Sequence, residues 1–174
     1  MNSNQRQFIP VNIAVLTASD SRTEVNDTSG KALVERLTEA GHHLADKQIT
    51  PDDVYRIRAV VAGWIANPDI QVVITTGGTG VTGRDGSPEA IKPLLDKTLD
   101  GFGEMFRALS YDDIGTSTLQ SRCLAGVANA TYLFVLPGST GACKLAWEKL
   151  IVHQLDYRTR PCNLVELMPR LLET

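Results

Sequence analysis

The residues best suited to chemistry form a glycine-rich turn, Thr75-Thr76-Gly77-Gly78-Thr79-Gly80. Glycine has no Cβ, so its backbone N–H groups can approach an anion closely, and threonine hydroxyls add further donors. The pattern therefore predicts a cradle for phosphate groups. It lacks the lysine of a P-loop and the G-x-G-x-x-G order of a dinucleotide site, which disfavours a hydride-transferring enzyme. The alternative is that these glycines only turn the chain.

An acidic residue follows the turn at a short distance. Asp85 lies in the segment Thr82-Gly83-Arg84-Asp85-Gly86-Ser87-Pro88, so its carboxylate belongs to the loop that leaves the predicted phosphate cradle. A carboxylate beside phosphate needs a cation, and Mg²⁺ typically takes one or two carboxylates together with phosphate oxygens and waters. The sequence therefore indicates magnesium, with a loop-capping aspartate as the alternative.

Two further polar turns offer hydrogen-bond donors, Ser121-Arg122 and Pro137-Gly138-Ser139-Thr140. Arg122 could bind a phosphate group through two parallel hydrogen bonds. Asp52 follows Pro51 at a predicted helix start, where complementing the helix dipole is its simplest role. Taken alone, each of these features is more often structural than functional.

The elements that must position these residues alternate along the chain. Strands are predicted at residues 11–18, 43–49, 70–75, 125–130 and 131–136, and helices at 31–41, 51–66, 88–95, 103–112 and 142–155. Residues 50–53 read as a helix N-cap, a first-turn proline and two first-turn acids. This alternation predicts a mostly parallel sheet covered by helices on both faces, with ligands at the carboxyl ends of its strands.

Length and composition indicate one globular domain over residues 1–174, with an extended N-terminal segment at residues 1–10. Hydrophobic residues make up 43% and charged residues 21%, which excludes a disordered chain. A net charge of −3 disfavours nucleic acid as a partner. Without a signal peptide or an apolar span long enough for a membrane, we expect a cytoplasmic protein.

Segments in a fixed order then connect the sequence with a known family. They are TASDSRT, DTSG, TTGGTG, RDGSPEA, GFGEMFR, SR and LPGS. In this order they resemble the molybdopterin adenylyltransferases of molybdenum cofactor biosynthesis, and the resemblance covers nearly the whole chain. The longer runs GTSTLQSRCLAGVAN and LPGSTGACKLAWEKL, with the ending RTRPCN, are similar to the protein B branch of that family.

The resemblance implies a three-layer α/β/α fold around a mostly parallel mixed sheet, assembled as a trimer or hexamer. It also implies adenylyl transfer from ATP to molybdopterin with Mg²⁺ as the cofactor, release of pyrophosphate, and delivery of the product to the molybdate-insertion enzyme of the pathway. Two alternatives remain: a non-catalytic pterin-binding or assembly protein, and another phosphate-handling enzyme on the same fold.

The same resemblance assigns residues to the site. Asp52 and Asp85 match the acids that serve catalysis and metal binding, and Ser121 and Arg122 match a position for the pterin phosphate. The remaining residues expected around the substrates are Ser19, Thr76, Gly77, Gly78, Thr79, Gly80, Ser87, Pro88, Glu89, Glu104, Pro137, Gly138 and Ser139.

Overall fold

A mixed β-sheet forms the centre of the protein, whose computed structural model describes residues 6–173. Its strands are β1 (Asn12–Ala18), β2 (His43–Thr50), β3 (Val72–Thr76), β4 (Lys97–Thr98), β5 (Leu124–Ala128) and β6 (Thr131–Leu136). They lie in the order β2-β1-β3-β6-β5-β4. Neighbours from β2 to β6 are parallel, whereas β5 runs antiparallel to both β6 and β4. The predicted mixed, mostly parallel sheet is confirmed.

Helices connect the strands. They are α1 (Thr28–Glu39), α2 (Val54–Ile65), α3 (Ser87–Ile91), α4 (Asp100–Ile114), α5 (Thr140–Ala146), α6 (Val152–Gln154) and α7 (Leu164–Leu167). A π-helical segment, Trp147–Ile151, joins α5 to α6, so these three pieces make the single long helix that the sequence predicts. The extended segment expected at residues 1–10 is described only from residue 6, and residues 6–10 contain no helix or strand.

Two hydrophobic cores lie on opposite faces of the sheet. Side chains alternate across β1, so that Ile13 and Val15 enter one core while Ala14 and Leu16 enter the other. The first core is completed by α1, α4, α5 and α7, and the second by α2 and α3. Because helices cover both faces, the predicted three-layer α/β/α arrangement is confirmed.

The start of α2 differs from the prediction. The Asp53 carboxylate accepts a hydrogen bond from Arg56 N at 2.9 Å and caps the helix, which therefore begins at Val54. Pro51 is consequently not the first helical residue, and Asp52 lies outside the helix. The prediction that Asp52 complements the helix dipole from the first turn is therefore wrong. Its side chain belongs to the loop before the helix.

Some short elements were not predicted. They are the two-residue strand β4, the helix α7, and a 3₁₀ segment, Gly115–Gln120, that continues α4. In residues 6–173, no helix is long and apolar enough to cross a membrane.

Candidate functional site

The carboxyl ends of four neighbouring parallel strands meet at one edge of the sheet, and each continues into a polar loop. Backbone hydrogen bonds join these ends. Ser19 N, after β1, donates to Thr50 O at 2.8 Å, and Gly77 N, after β3, donates to Leu136 O at 3.1 Å. The loops after β1, β2, β3 and β6 are therefore held side by side, as the sequence predicts for ligand-binding loops.

The glycine turn adopts a backbone that other residues disfavour. Gly77 has φ of 99° and Gly78 has φ of 64°, both in the left-handed region. A Cβ on Gly77 would lie 2.1 Å from Ala18 O, and one on Gly138 would lie 3.2 Å from the Cα of Gly77. The ends of β1, β3 and β6 thus meet at a point where a side chain has no room.

Asp52 lies directly against this turn. Its Oδ1 is buried and has no hydrogen-bond partner among the described residues, and it would be 3.0 Å from a Cβ on Gly78. Its Oδ2 accepts a hydrogen bond from Asp20 N at 3.2 Å. Burial raises the pKa of Asp52, and the nearby carboxylates of Asp20 and Asp85 add to that increase.

An arginine neutralises the neighbouring acid. Arg84 donates from Nε and Nη2 to the two oxygens of Asp20, at 3.0 and 2.7 Å. These hydrogen bonds lower the pKa of Asp20. Asp20 also accepts a hydrogen bond from Asp52 N at 3.1 Å, so the loops after β1 and β2 and the loop carrying Arg84 are tied together.

Asp85 approaches the other end of the glycine turn. Its Oδ2 accepts hydrogen bonds from Thr82 Oγ1 at 2.6 Å and Thr82 N at 2.9 Å, and it would be 2.6 Å from a Cβ on Gly80. The hydrogen bonds from Thr82 lower the pKa of Asp85. Asp85 therefore ionises readily and is held in one orientation.

The carboxylate oxygens near the glycine turn suit a hard cation that takes its remaining ligands from phosphate groups and water. Residues 6–173 contain no group of three or more His, Cys, Asp or Glu side chains suited to holding a metal. The carboxylates of Asp52 and Asp85 do approach the same glycine turn, however. One oxygen of Asp52 has no hydrogen-bond partner among the described residues. Mg²⁺ is commonly held by one or two carboxylates with phosphate oxygens and waters, so these residues suit it.

A cleft of about 620 Å³ opens beside the turn. Its lining includes eight of the predicted site residues: Gly78, Thr79, Gly80, Asp85, Ser121, Pro137, Gly138 and Ser139. One wall comes from α4 and the segment after it, including Phe106, Ser110 and Ile114, and Leu145 of α5 adds another apolar surface. Sequence reasoning missed this wall, because helical spacing marks an apolar face without separating core from cleft.

The other predicted residues lie around the cleft or away from it. Thr76 is buried and donates to Pro137 O at 2.9 Å, and Ser87 is buried and donates to Gly77 O at 2.8 Å, so both support the turn. Pro88 lies in the first turn of α3. Ser19 lines a separate cavity of about 500 Å³, and Glu104 lines another of about 320 Å³. The structure does not bring these last two residues into the cleft.

Arg122 and Glu89 form an ion pair beside the cleft. Neither residue is among those that line it. The guanidinium also donates to two backbone carbonyls, those of Gly80 and Asp85, at 2.7 and 3.0 Å. Its contacts are therefore with the loop that follows the glycine turn.

Comparison with known proteins gives a consistent result. Residues 14–157 match the family described as a probable molybdopterin binding domain. Over 163 residues the chain is 56% identical to the molybdenum cofactor biosynthesis protein B of Escherichia coli (strain K12), covering 94% of this chain and 96% of that protein.

Solved structures agree. A crystal structure of a molybdenum cofactor biosynthesis protein B is 44% identical with a TM-score of 0.83, covering 86% of this chain and 94% of that one. The tungsten cofactor synthesizing protein MoaB from Pyrococcus furiosus is 39% identical with a TM-score of 0.72, over 80% of this chain and 89% of that one.

Proposed function

The chain belongs to the molybdenum cofactor biosynthesis family with its probable molybdopterin binding domain, and on that premise we propose that it is a molybdopterin adenylyltransferase. In this reaction an oxygen of the terminal phosphate of molybdopterin attacks the α-phosphorus of ATP. A new phosphorus–oxygen bond forms, the bond from the α-phosphorus to the oxygen bridging to the β-phosphate breaks, and pyrophosphate leaves with that electron pair. The product is adenylyl-molybdopterin.

One observation carries the proposal: the carboxylates of Asp52 and Asp85 approach the same glycine turn beside the cleft. Transfer between two anions depends on positioning and charge neutralisation more than on a protein nucleophile. Asp85 and Asp52 would hold Mg²⁺, which offsets the charge of the phosphate groups when it is bound. Backbone N–H groups of the part of the turn that lines the cleft, Gly78 and Thr79, would be further donors for those same groups.

The cleft has the size and character for such substrates. Its volume of about 620 Å³ lies within the range of roughly 300–1,000 Å³ typical of small-molecule sites. Ile114 and Leu145 provide apolar surface on which a flat ring can pack, while Ser121 and Ser139 contribute polar character. Apolar walls with a few polar groups are what orient a ligand of this kind.

The test is a direct assay of purified protein with molybdopterin, ATP, Mg²⁺ and inorganic pyrophosphatase. We expect adenylyl-molybdopterin, identified by chromatography and mass spectrometry, and its formation should stop when Mg²⁺ is removed with EDTA. Molybdopterin binding without any adenylylated product would instead support a non-catalytic pterin-binding or assembly protein. Binding of nucleotides without molybdopterin would support a different phosphate-handling enzyme.

We further propose that the protein forms a homo-oligomer, a trimer or hexamer. Several large apolar side chains on α4 and on the 3₁₀ segment after it are exposed; they are Met105, Tyr111, Ile114 and Leu119. We infer that a second copy of the chain covers part of this apolar surface. Light scattering coupled to size-exclusion chromatography gives the mass, and a monomer at micromolar concentration would contradict the proposal. The molybdate-insertion enzyme is the proposed recipient of the product.

A further inference from the structure

We propose that Arg122 is a positioning residue that fixes the loop carrying Asp85, and that it is not the phosphate ligand expected from the sequence. The inference deepens the proposed function and rests on it. Each nitrogen group of the guanidinium is used within the loop: Nε donates to Gly80 O at 2.7 Å, Nη2 donates to Asp85 O at 3.0 Å, and Nη1 pairs with Glu89.

These three contacts lie at the beginning, the middle and the end of one loop. Gly80 ends the glycine turn, Asp85 is the proposed metal ligand, and Glu89 lies in the first turn of α3. A planar guanidinium with a fixed arrangement of donors can hold such points at set separations. The carboxylate of Asp85 is fixed independently by Thr82, so its main chain and its side chain are each held by a different partner.

The preceding residue faces the cleft instead. Ser121 has an extended backbone, with φ of −80° and ψ of 112°, and successive side chains of an extended segment point in opposite directions. Ser121 lines the cleft, and its buried hydroxyl has no hydrogen-bond partner among the described residues. Arg122 does not line the cleft. Of the pair, only Ser121 lines the cleft.

Using Arg122 as a phosphate ligand would carry a cost. Its guanidinium would have to leave Gly80 O and Asp85 O, and polar groups that lose their partner in a partly buried place are unfavourable. It would also leave Glu89 without its cation. The existing contacts therefore favour retention of Arg122 on the loop when substrate binds.

The experiment compares Arg122→Lys with wild type by hydrogen exchange and mass spectrometry, without substrate. Lysine cannot reproduce the planar fork, so we expect amides in residues 80–89 to exchange at least about tenfold faster, because the loop opens locally. Arg170→Lys is the matched control, since Arg170 forms a comparable pair with Glu173 on the surface. Unchanged exchange in residues 80–89 would overturn the proposal.

Binding and turnover then separate positioning from ligation. We expect Arg122→Lys to lower the turnover number about tenfold to a hundredfold through misplacement of Asp85, while the Kd for molybdopterin stays within about twofold. A large loss of molybdopterin affinity with normal loop exchange would make Arg122 a ligand and reject the inference. Should wild-type protein lack adenylyltransferase activity, the proposed function fails, and the exchange comparison still decides the role of Arg122.

A second variant keeps the test decisive should Arg122→Lys fail to fold. Glu89→Gln removes the charge of one anchor and leaves the two backbone contacts of Arg122 in place. We expect a smaller increase in exchange, concentrated near α3. An increase no larger than that of Arg170→Lys would also contradict the positioning role.

Discussion

Two aspartates beside one glycine turn have opposite electrostatic surroundings. Burial raises the pKa of Asp52, whereas hydrogen bonds from Thr82 lower the pKa of Asp85. The hydrogen bonds from Thr82 thus favour the ionised form of Asp85, which is the form that binds a cation. Asp52 gains most from a bound cation, because its buried Oδ1 has no partner among the described residues.

The first prediction concerns Asp85. Asp85→Asn keeps the size of the side chain but removes the charge proposed to hold Mg²⁺, whose effect is greatest on charge developing during transfer. We expect the turnover number to fall about a hundredfold or more, with the Kd for molybdopterin within about twofold of wild type. Steady-state kinetics and pterin binding measure both. Asp69→Asn, outside the cleft, is the control, and an unchanged turnover number would argue against the metal role.

Asp52 leads to a prediction about pH and stability. A pKa raised by folding means that protonated Asp52 favours the native state, and this stabilisation is lost as pH rises through the raised pKa. Asn cannot ionise, so we expect Asp52→Asn in EDTA to have a higher Tm than wild type at neutral pH. The difference should vanish below the ordinary aspartate pKa of about 3.9. A Tm difference that does not change with pH would contradict the raised pKa of Asp52.

At the scale of elements, two adjacent acids in the loop after β2 have different roles. Asp53 caps α2 through Arg56 N, whereas Asp52 lies just before the helix and reaches the glycine turn. Adjacent acids therefore serve different ends. Asp53 stabilises the helix, and Asp52 contributes a carboxylate to the proposed binding site.

This separation predicts opposite effects for neighbouring substitutions. Asp53→Ala removes the N-cap of α2 and should lower the free energy of unfolding by about 1 kcal/mol, in contrast to the stabilisation expected for Asp52→Asn. Urea denaturation provides the measurement. Asp69→Ala, at an exposed position without a recorded side-chain hydrogen bond, should stay within about 0.5 kcal/mol of wild type. A loss no greater than that control would argue against the capping role.

The same elements show how far sequence reasoning reaches. The strands β1, β3 and β6 and the glycine turn were predictable, because buried aliphatic runs and glycine-rich turns are local signals. The pairing of Asp20 with Asp52 and Arg84 was not, since it joins loops 32 and 64 residues apart. The two-residue strand β4 exists only because β5 lies beside it. Local patterns therefore located the loops, while the contacts between them required the fold.

At the scale of the whole molecule, an N-terminal arm crosses to the C-terminal segment. Arg6 forms hydrogen bonds of 3.0 and 2.7 Å with Glu166 and lies 4.8 Å from the centre of the Tyr157 ring. Phe8 packs against His42, with ring centroids 5.0 Å apart and ring planes inclined by 48°. Arg6 thus connects the arm to the C-terminal segment, and Phe8 lies against the residues that follow α1.

The arm provides the fourth prediction. Glu166→Gln weakens the ion pair with Arg6, so amides at residues 6–10 should exchange faster while the Tm changes little, because pairs near the surface contribute weakly to stability. Hydrogen exchange and thermal unfolding test both parts. Glu173→Gln, in a pair confined to the C-terminal segment, is the control. Equal exchange of the arm in the two variants would show that Glu166 does not hold it.

The crowded meeting of three strand ends also limits how the cleft can be redesigned. A Cβ on Gly77 would collide with the Ala18 carbonyl, and one on Gly138 would crowd the Cα of Gly77, so a library that varies both would lose many folded members. In the wall of the cleft, Phe106 and Ser110 are buried and constrained by packing, whereas Ile114 is exposed and Leu145 is half-buried, so these two positions accept more side chains. Laboratory evolution toward other pterins or nucleotides would therefore begin at Ile114 and Leu145 and leave the strand junction untouched.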